Sequence, residues 1–518
     1  MKKYIALILA LVLAVSCFAA CEKEPENLAA VKFKEFAVGY GKADVSADPE
    51  SHIGIVGSND VATRRANSIK EPFWVNCVAF TDPDGTTVLV IAGDFAYSNN
   101  HIVKSLREGI EEKTGVPGTN IQYNVSHNHT GPDQGSTAEG ACAKFCEMFI
   151  EKTIQAAVDA LENRKPAQMY IGINRPENLN FQRHYIHTDG SYAGSGAECR
   201  PAELLTHLEK ADNLMQVVKF VREGEKDILM VNWQAHPYQI SDKRDVLSPG
   251  SPGVMRRVLL EKYGVESIYI LGGAGDLVSK SYIGAENIAQ NEDEHGTLLA
   301  ESAIQAAENA VPAATGKIHY QEVDYVLPFP NEAKAWKLGA FGFGDFGYVS
   351  QPFEVFQTNA IAVRDASPYT MTFYAEVSNG NDLSGYTPDE EACAYGCYEQ
   401  GPMFTPQGTA EVLEKKLKEM IQEVFDRSGQ TKKEKLEGYL TDNSPKSDGV
   451  IYTNPTVGDK SAIIEAANGH YKVSLAAGVY SPQPVLIESK ELAEEIISRS
   501  TMKLIFTQRM TVVGVEDP

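Results

Sequence analysis

The chain has 518 residues, of which 43% are apolar and 23% are charged, and this composition is that of a folded globular protein with a large core. Its formal net charge of −23 argues against a nucleic-acid partner, because phosphate binding requires clustered Lys and Arg side chains. The same charge argues against binding to a bare anionic membrane surface.

The N-terminus is typical of a bacterial export signal. Two lysines precede an apolar run that reaches Ala20, and the acidic stretch "EKEPEN" follows Cys21. The sequence "FAAC" that ends at Cys21 resembles a lipobox, in which the cysteine is lipidated. Cys17 is the competing site, and a cleaved signal without lipid is the other alternative. We expect a signal peptide over 1–20, a tether over 21–36, and a lipid-anchored protein of the bacterial cell envelope.

Downstream of the tether, segments with strand patterns alternate with segments of helical spacing. Such interleaving predicts an α/β fold, with α+β as the alternative, in which mixed β-sheets are flanked by helices. The predicted strands are 73–82, 86–94, 121–126, 168–173, 214–221, 227–234, 267–273 and 370–377, and the predicted helices are 99–115, 139–163, 253–264, 292–310 and 409–429.

A polar stretch near 428–450 predicts a domain boundary, because it is rich in Gly, Ser, Pro and charged residues. We therefore expect one large domain over 37–430 and a small β-rich region over 431–518. Within that region, short strands are predicted at 451–457, 471–480 and 502–515.

The cysteines do not form a pattern typical of a zinc knuckle or a redox motif. Cys142 and Cys146 are four residues apart in a segment of helical spacing, so they share one helix face. This arrangement indicates two small core residues.

The stretch "IQYNVSHNHTGPD" places two histidines at the end of a predicted strand. Because side chains alternate between faces, His127 and His129 would share a face with the apolar residues of the strand if the strand persists. Open α/β sheets commonly bind ligands at that end of their strands. By itself, however, the pair is also compatible with polar loop residues or hydrogen-bonded histidines.

Four further segments place polar side chains at predicted turns. "MVNWQAHP" carries His236, "GGAGD" carries Asp276, "QPFE" carries Glu354, and a Gly/Asn/Asp-rich loop ends at Tyr386. Each segment also has a purely structural explanation. His236 could be a hydrogen-bonded histidine, and the segment of Asp276 a tight turn. Glu354 could interact with a helix dipole, and the loop that ends at Tyr386 could lead into a helix. The turn at Asp276 lacks the spacing of a nucleotide-binding loop.

One other segment, "AGDFAYSNNH", carries Asp94, Asn100 and His101 and loosely echoes a metallophosphoesterase. These residues are too close in sequence to come from the separate strands that such a site requires. We therefore assign no chemistry to this segment.

Taken in order, the five chemistry-bearing segments resemble the neutral/alkaline (non-lysosomal) ceramidase family over roughly residues 37–425. The family's "HTHSGP" motif is matched by "HNHTGP", and its strand ending in Asn-Trp with a later His is matched by "NWQAHP". Three looser matches follow: "GDLVSK" at 275–280, "QPFE" at 351–354 and "NDLSGYTPDEEACAYGCYE" at 381–399.

The resemblance implies one zinc ion bound by His127, His236, Glu354 and Tyr386. Imidazole and carboxylate groups are ligands that zinc favours, whereas a tyrosine is less usual. The resemblance also implies that His129 is the general base and that Tyr386 helps to stabilise the oxyanion formed from an amide.

The substrate-binding positions match less well. Arg183 falls in a region where relatives place an arginine that contacts substrate. The family's serine after "GDV" falls on Val278, with Ser279 one position late, so a role of this serine in headgroup binding is in doubt. Phe353 replaces a family glycine, and we expect it to narrow the pocket.

These expectations combine into a zinc-dependent amidohydrolase that cleaves an N-acyl lipid similar to ceramide. One alternative is a zinc hydrolase of another amide or ester, such as an acylated sugar. The other is a non-catalytic envelope lipoprotein that binds lipid or glycan. The expected partners are an N-acyl substrate and, through the lipid anchor, a membrane, but no nucleic acid.

Overall fold

The structure is a computed structural model. It describes residues 27–57, 64–135, 140–187, 192–194, 200–237, 245–380, 382, 384–440, 461–467, 470–475, 485–487 and 503–506.

Helices and strands alternate along the chain. The α-helices are α1 (Asn100–Thr114), α2 (Ala141–Glu162), α3 (Gly250–Tyr263), α4 (Glu292–Glu308), α5 (Gln357–Ala366), α6 (Glu390–Tyr395) and α7 (Thr409–Ser428). The strands of the first half are β1 (Ala37–Asp44), β2 (Ile55–Val56), β3 (Ser68–Ile69), β4 (Trp74–Thr81), β5 (Thr87–Gly93), β6 (Ile121–Val125), β7 (Gly131–Pro132), β8 (Lys165–Asn174), β9 (Phe181–Gln182), β10 (Tyr185–His187), β11 (Tyr192–Ala193), β12 (Leu204–His207), β13 (Met215–Arg222) and β14 (Ile228–Trp233).

The remaining strands include several short ones near the candidate site. They are β15 (Val246–Leu247), β16 (Glu266–Leu271), β17 (Leu277–Val278), β18 (Val311–Ala313), β19 (His319–Val326), β20 (Ala335–Phe343), β21 (Phe346–Ser350), β22 (Glu354–Val355), β23 (Met371–Ala375), β24 (Tyr386–Thr387), β25 (Ser461–Ala467), β26 (His470–Leu475), β27 (Val485–Ile487) and β28 (Lys503–Phe506).

The largest sheet has 9 strands in the order β16-β14-β13-β8-β1-β4-β5-β6, with β18 paired to β8. The pairs β14–β16 and β5–β6 are parallel. The other pairs in this sheet are antiparallel, so the sheet is mixed, as predicted.

Both faces of this sheet are buried, because alternate side chains of a strand point to opposite faces. In β5, Leu89 and Ile91 enter a core that they share with α1 to α4, whereas Val88 and Val90 enter a second core. The second core is closed by a second sheet of order β19-β20-β21-β23, which contributes aromatic side chains such as Phe341.

The outer face of the second sheet is covered by α7. Leu417 and Ile421 lie four residues apart, hence on one helix face, and pack with Leu338 and Val349 of the sheet. Burying one such side chain stabilises the fold by about 1.5–3 kcal/mol. The result is a layered arrangement of helices, sheet, sheet and helices, and it confirms the predicted α/β class.

The two edges of the large sheet approach each other, because its strands twist cumulatively. β6 and β16 stand at opposite ends of the strand order, yet the Leu271 N–H of β16 donates to Asn124 Oδ1 of β6 at 3.0 Å. The Asn124 amide donates in turn to the Glu376 carbonyl just after β23, at 2.7 Å. The ends of β6, β16 and β23 therefore meet at one place.

Most predicted elements are found within a few residues of their expected bounds. The predicted helices correspond to α1, α2, α3, α4 and α7. Gly115, directly after the end of α1, has φ 74°, as expected of a glycine stop. β19, β20 and β21 lie in residues 319–350, where the sequence leads to no predicted strand.

In the C-terminal region, β25 to β28 form a sheet of order β27-β26-β25-β28. β26 and β28 overlap two of the predicted strands, whereas the predicted strand at 451–457 lies outside the described residues. The domain boundary at residue 430 stays a prediction.

The predicted signal and lipidation segment, with Cys17 and Cys21, lies outside the described residues, and so does Cys199. The cysteines that the structure describes form no disulfide. Cys146 is buried in α2 and Cys142 packs partly buried beside the same core, as predicted. Within the described part of the chain, we find no helix with the length and apolarity needed to cross a membrane.

Candidate metal centre

The first histidine lies just beyond the end of β6. The strand ends at Val125, and His127 has φ 56°, in the left-handed region that few non-glycine residues adopt. The strand therefore does not persist to His129, and the condition under which the two histidines would share a strand face is not met. The backbone turns at His127, and both imidazoles still reach one site because this turn redirects the chain. Strained backbone of this kind is concentrated at functional sites.

His236 is delivered by the end of β14. Its backbone N–H donates to the Leu277 carbonyl at 2.9 Å, and it forms a parallel bridge with Val278. The turn that carries Asp276 therefore lies directly beside His236. This contact explains why two segments 40 residues apart in the chain contribute to one place.

Glu354 and Tyr386 are cross-strand partners in the parallel pair of β22 and β24. Glu354 thus lies in a two-residue strand before α5 rather than in the first turn of a helix, as the helix-dipole alternative would require. Gly385, directly before Tyr386, has φ 64°, and a Cβ there would lie 2.1 Å from the Pro402 carbonyl oxygen. Only glycine fits this approach.

The four predicted ligands converge. Glu354 Oε2 lies 3.1 Å from His127 Nε2 and 3.1 Å from His236 Nε2, and Tyr386 Oη lies 3.3 Å from His236 Nε2. All four side chains are at most 7% exposed. A tetrahedral zinc ion with bonds of 2.0–2.1 Å separates its ligand atoms by about 3.3 Å, so the spacing of these donors fits such an ion.

Backbone carbonyls fix the orientation of both imidazoles. His127 Nδ1 lies 2.6 Å from the Ala96 carbonyl, and His236 Nδ1 lies 2.7 Å from the Ala274 carbonyl. Carbonyls only accept, so each Nδ1 carries a hydrogen, and in a neutral ring the Nε2 lone pair faces the Glu354 carboxylate. Such an arrangement is typical of metal-binding histidines, because a shared cation removes the repulsion between the lone pairs.

The ionisable groups perturb one another strongly. Burial opposes ionisation of Glu354, but the two imidazoles outweigh it and hold the pKa of Glu354 well below its usual range. Burial lowers the pKa of His236 to about 4. For His127, burial is outweighed by the Glu354 carboxylate, and the pKa is raised. Burial, and then the same carboxylate, raise the pKa of Tyr386 well above its usual range. A bound cation would replace the proton of His127.

His129 stands beside the four donors. Its Nε2 lies 3.2 Å from His127 Nε2. The buried His127 and His236 and the half-buried His129 together form a group that could hold a metal ion. Burial and the two neighbouring histidines lower the pKa of His129 well below its usual range. At Gly57, with φ 122°, a Cβ would lie 2.4 Å from His129 Cα, so the backbone packs closely against this histidine.

The two predicted substrate-binding residues are buried. The Arg183 guanidinium donates to Glu399 Oε1 and to the Gly275 carbonyl, both at 2.7 Å, and lies over the Tyr386 ring at 5.1 Å. Ser279 Oγ donates to the His236 carbonyl at 2.6 Å. These contacts hold the ligand-bearing segments together, and direct contact of Arg183 or Ser279 with substrate stays a prediction.

The two positions that depart from the family pattern are fully buried. Val278 forms a parallel β-bridge with His236. The Phe353 ring packs against Trp336 with centroids 4.6 Å apart, in the core beneath α7. Because Phe353 packs into this core, its position gives no support to the expected narrowing of the pocket.

Three exposed aromatic side chains surround the centre, and we call them the aromatic rim. Tyr97 is 38% exposed with its ring 5.7 Å from that of His127, and Tyr398 is 48% exposed with its ring 6.3 Å from that of Tyr386. Phe404, which is 62% exposed, packs beside Gly385. The buried polar centre is therefore bordered by exposed apolar surface.

Sequence reasoning missed several contributors to the site. The segment "AGDFAYSNNH", to which no chemistry was assigned, supplies the Ala96 carbonyl and the Tyr97 ring, and Asp94 pairs with Arg256 in the core. Glu399 lies in one of the family-like motifs, and the sequence predicts no role for it. A polar run directly after a buried strand is the signal that could have indicated the first segment.

Two solved structures share this fold. The neutral ceramidase from Pseudomonas aeruginosa aligns with a TM-score of 0.62 and 13% identity over 86% of this chain and 84% of its own. A ceramidase complexed with C2 aligns with the same values. No protein-family profile and no curated protein matches the sequence. The expected ceramidase-like fold is therefore confirmed, and this likeness establishes the fold alone.

Proposed function

We propose that this protein is a zinc-dependent hydrolase that cleaves the amide bond of an N-acyl lipid. The observation that carries the proposal is the convergence of four buried donor atoms at 3.1–3.3 Å. Their chemistry, two imidazoles with a carboxylate and a phenol, suits zinc. The fold shared with ceramidases supports the assignment to amide hydrolysis.

His127, His236, Glu354 and Tyr386 would hold the zinc ion. When bound, zinc supplies Lewis-acid polarisation of a carbonyl and makes water acidic enough to react at neutral pH. The protein's part is to exclude bulk water and to keep the donors fixed. Burial of all four side chains and the two carbonyl partners of the histidines serve this purpose.

His129 would take the proton from the attacking water. Its Nε2 lies 3.2 Å from His127 Nε2, so it borders the position that a water beside the ligands would occupy. After the carbon–nitrogen bond breaks, the same nitrogen would return the proton to the departing amine. One imidazole would thus act as base and then as acid.

Tyr386 would stabilise the negative charge that develops on the amide oxygen. Its hydroxyl faces the centre, and its ring is held between neighbouring groups rather than exposed to solvent. A donor that is already oriented costs no reorganisation when the charge develops.

The aromatic rim supports an amphiphilic substrate. Exposed aromatic surface beside a buried polar centre would contact an apolar chain while the amide reaches the donors. The N-acyl lipid class combines both features. The expected acyl chain would lie along Tyr97, Tyr398 and Phe404.

Metal analysis and a substrate panel test the proposal. Purified protein should contain one zinc per chain, and His127→Ala should lose it. The same preparation should hydrolyse ceramide-type substrates. A protein without zinc, or with unchanged zinc in His127→Ala, would contradict the site. Zinc without any turnover, together with stabilisation by added lipid or glycan, would favour a binding lipoprotein.

A second candidate is hydrolysis of another amide or ester, such as an acylated sugar. Val278 at the position of the family's serine favours it, since a headgroup contact is then absent, and exposed tyrosines also stack on sugar rings. Comparing kcat/KM for N-acyl sphingoid bases with that for acylated sugars on one enzyme preparation separates the two candidates.

We also propose that the protein is lipid-anchored in a bacterial cell envelope through Cys21. The lysines, the apolar run and the residues before this cysteine support the proposal. Metabolic labelling with a fatty acid should mark the full chain, and Cys21→Ala should lose the label. If the label is instead lost only in Cys17→Ala, Cys17 is the lipidated residue.

A further inference from the structure

Glu399 is a fully buried carboxylate behind the candidate metal centre. It lies in a short 3-10 turn, Tyr398–Gln400, and has no solvent exposure. Its Oε1 accepts from Arg183 Nε at 2.7 Å, and its Oε2 lies 3.0 Å from His184 Nε2. Both oxygens are thus committed to neighbouring residues of one segment, between β9 and β10.

Arg183 connects this carboxylate to the centre. While its Nε is bound to Glu399, its Nη2 donates to the Gly275 carbonyl at 2.7 Å. The guanidinium then lies over the rings of Tyr386 and Tyr398, at 5.1 and 5.5 Å. A planar guanidinium with two fixed bonds has little freedom to rotate, so it presents a fixed surface to Tyr386.

A buried charge at this place is costly unless it is paired. Burial opposes ionisation of Glu399, yet His184 and Arg183 outweigh it and lower the pKa of Glu399 to about 2. The carboxylate is therefore charged at neutral pH. Glu399 is linked to the proposed ligand Tyr386 by its bond to Arg183 and by the contact of Arg183 with the Tyr386 ring. A charge kept buried at such a cost in this place points to a role in positioning.

The backbone of Tyr386 is fixed by its pairing with Glu354, but its phenol ring is set by side-chain contacts. The ring stacks near His236, with centroids 6.2 Å apart and planes 12° apart, and contacts Arg183. The other described ring contacts of Tyr386 are with His236, itself a proposed ligand, and with Tyr398 of the aromatic rim.

We propose that Glu399 is a positioning residue that acts through Arg183 to hold the Tyr386 phenol at the metal centre. This inference rests on the proposed function, because it assumes that Tyr386 is a zinc ligand. In metal sites, loss of a group that orients a ligand typically weakens metal binding by about 10–100-fold.

Zinc affinity, measured by competition with a chromophoric chelator, tests this role without any substrate. Glu399→Gln should raise the zinc Kd by about 10–100-fold, because an amide no longer fixes the guanidinium. Arg183→Lys should have a similar effect, since an ammonium cannot make both bonds and cover the ring. The variant that combines both substitutions should have a zinc Kd no higher than that of the single variant with the higher Kd, because both substitutions act through the Glu399–Arg183 contact.

His184→Leu provides the matched control. It removes the partner of Glu399 Oε2 but leaves the Glu399–Arg183 bond, so zinc affinity should stay within about threefold while thermal stability falls. Glu399→Asp keeps the charge, and partial recovery of affinity is expected. Melting of the zinc-free variants establishes that each one is folded.

Two outcomes would overturn the inference in different ways. Absence of zinc from the unmodified protein would refute the proposed function and this role together. Zinc binding by the unmodified protein, with an unchanged Kd in folded Glu399→Gln or with equal weakening in His184→Leu, would refute this role alone.

Discussion

The buried floor of the site and its aromatic rim differ in how firmly the fold fixes them. The floor consists of His127, His236, Glu354 and Tyr386, each at most 7% exposed, whereas the rim residues are 38–62% exposed. Carbonyls hold the floor histidines, and a strand pair holds the other two ligands. The floor is therefore suited to chemistry that tolerates little movement, and the rim to contacts that vary with substrate.

Substitution of a floor residue is expected to have the largest effect on zinc binding and activity. His236→Ala should abolish zinc binding and lower kcat/KM by about a thousandfold or more, because the metal contributes several kcal/mol to the transition state. Zinc analysis and initial rates measure both quantities.

His295 offers a matched control for this substitution. It is equally buried, its pKa is also lowered by burial to about 4, and its Nε2 donates to the Leu179 carbonyl at 2.8 Å. His295→Ala should destabilise the protein while zinc content stays at that of the unmodified chain. Equal loss of zinc in both variants would mean that unfolding, not ligation, explains the result.

At His129, which lies between the floor and solvent, activity is expected to fall without the loss of zinc expected for His236→Ala. His129→Gln should lower kcat by about 10²–10⁴-fold, the usual contribution of a general base, with little change in zinc content. Zinc stoichiometry and kcat are measured on one preparation. If zinc is lost with activity, the three histidines form the ligand set and His129 is not the base.

The next effect in size is expected from metal removal, which should lower the stability of the folded protein. If zinc binds only the folded protein, chelation should lower the free energy of unfolding by about 2.7 kcal/mol relative to free zinc at a hundred times its Kd. Urea unfolding with and without chelator gives this difference. The difference should disappear in His236→Ala but persist in the rim variant Phe404→Ala.

The smallest effect is expected from the rim. Tyr97→Ala, Tyr398→Ala and Phe404→Ala should each lower kcat/KM for long-chain substrates by up to about tenfold, or about 1.4 kcal/mol, through lost apolar contact. Short, water-soluble N-acyl substrates should be much less affected. A series of acyl chain lengths provides the measurement.

Val326, an exposed valine on β19, is the control position for the rim. Val326→Ser should leave the chain-length dependence unchanged. Equal losses for short and long substrates in the rim variants would indicate that the rim supports the floor instead of contacting the acyl chain.

The strengths of sequence reasoning here were local. The spacing of apolar residues predicted α1, α2 and the central strands, because helix and strand periods follow from backbone geometry alone. It failed for β20, "AWKLGAFGF", where glycines interrupt the apolar pattern. Those glycines are needed because neighbouring side chains approach the strand: a Cβ at Gly342 would lie 2.3 Å from Tyr369.

The candidate site also combines features that the sequence indicated with features that depend on tertiary packing. The resemblance of ordered motifs singled out His127, His236, Glu354 and Tyr386, and the structure brings these residues together. Their roles remain predictions. His127 and His129 do not continue the strand, because the chain enters the left-handed region at His127. This turn depends on packing that no local pattern encodes.

By itself, the sequence determined most element types and the α/β class, because these depend on local periodicity. The identity of the candidate ligands came from the resemblance of its ordered motifs to a known family. Only the tertiary structure decided that the edges of the large sheet meet and that the Ala96 and Ala274 carbonyls contact the imidazoles. The same is true of the pairing of Glu399 with Arg183, whose guanidinium lies over the Tyr386 ring. These contacts join residues up to 216 positions apart, and such pairings depend on the twist and packing of the whole sheet.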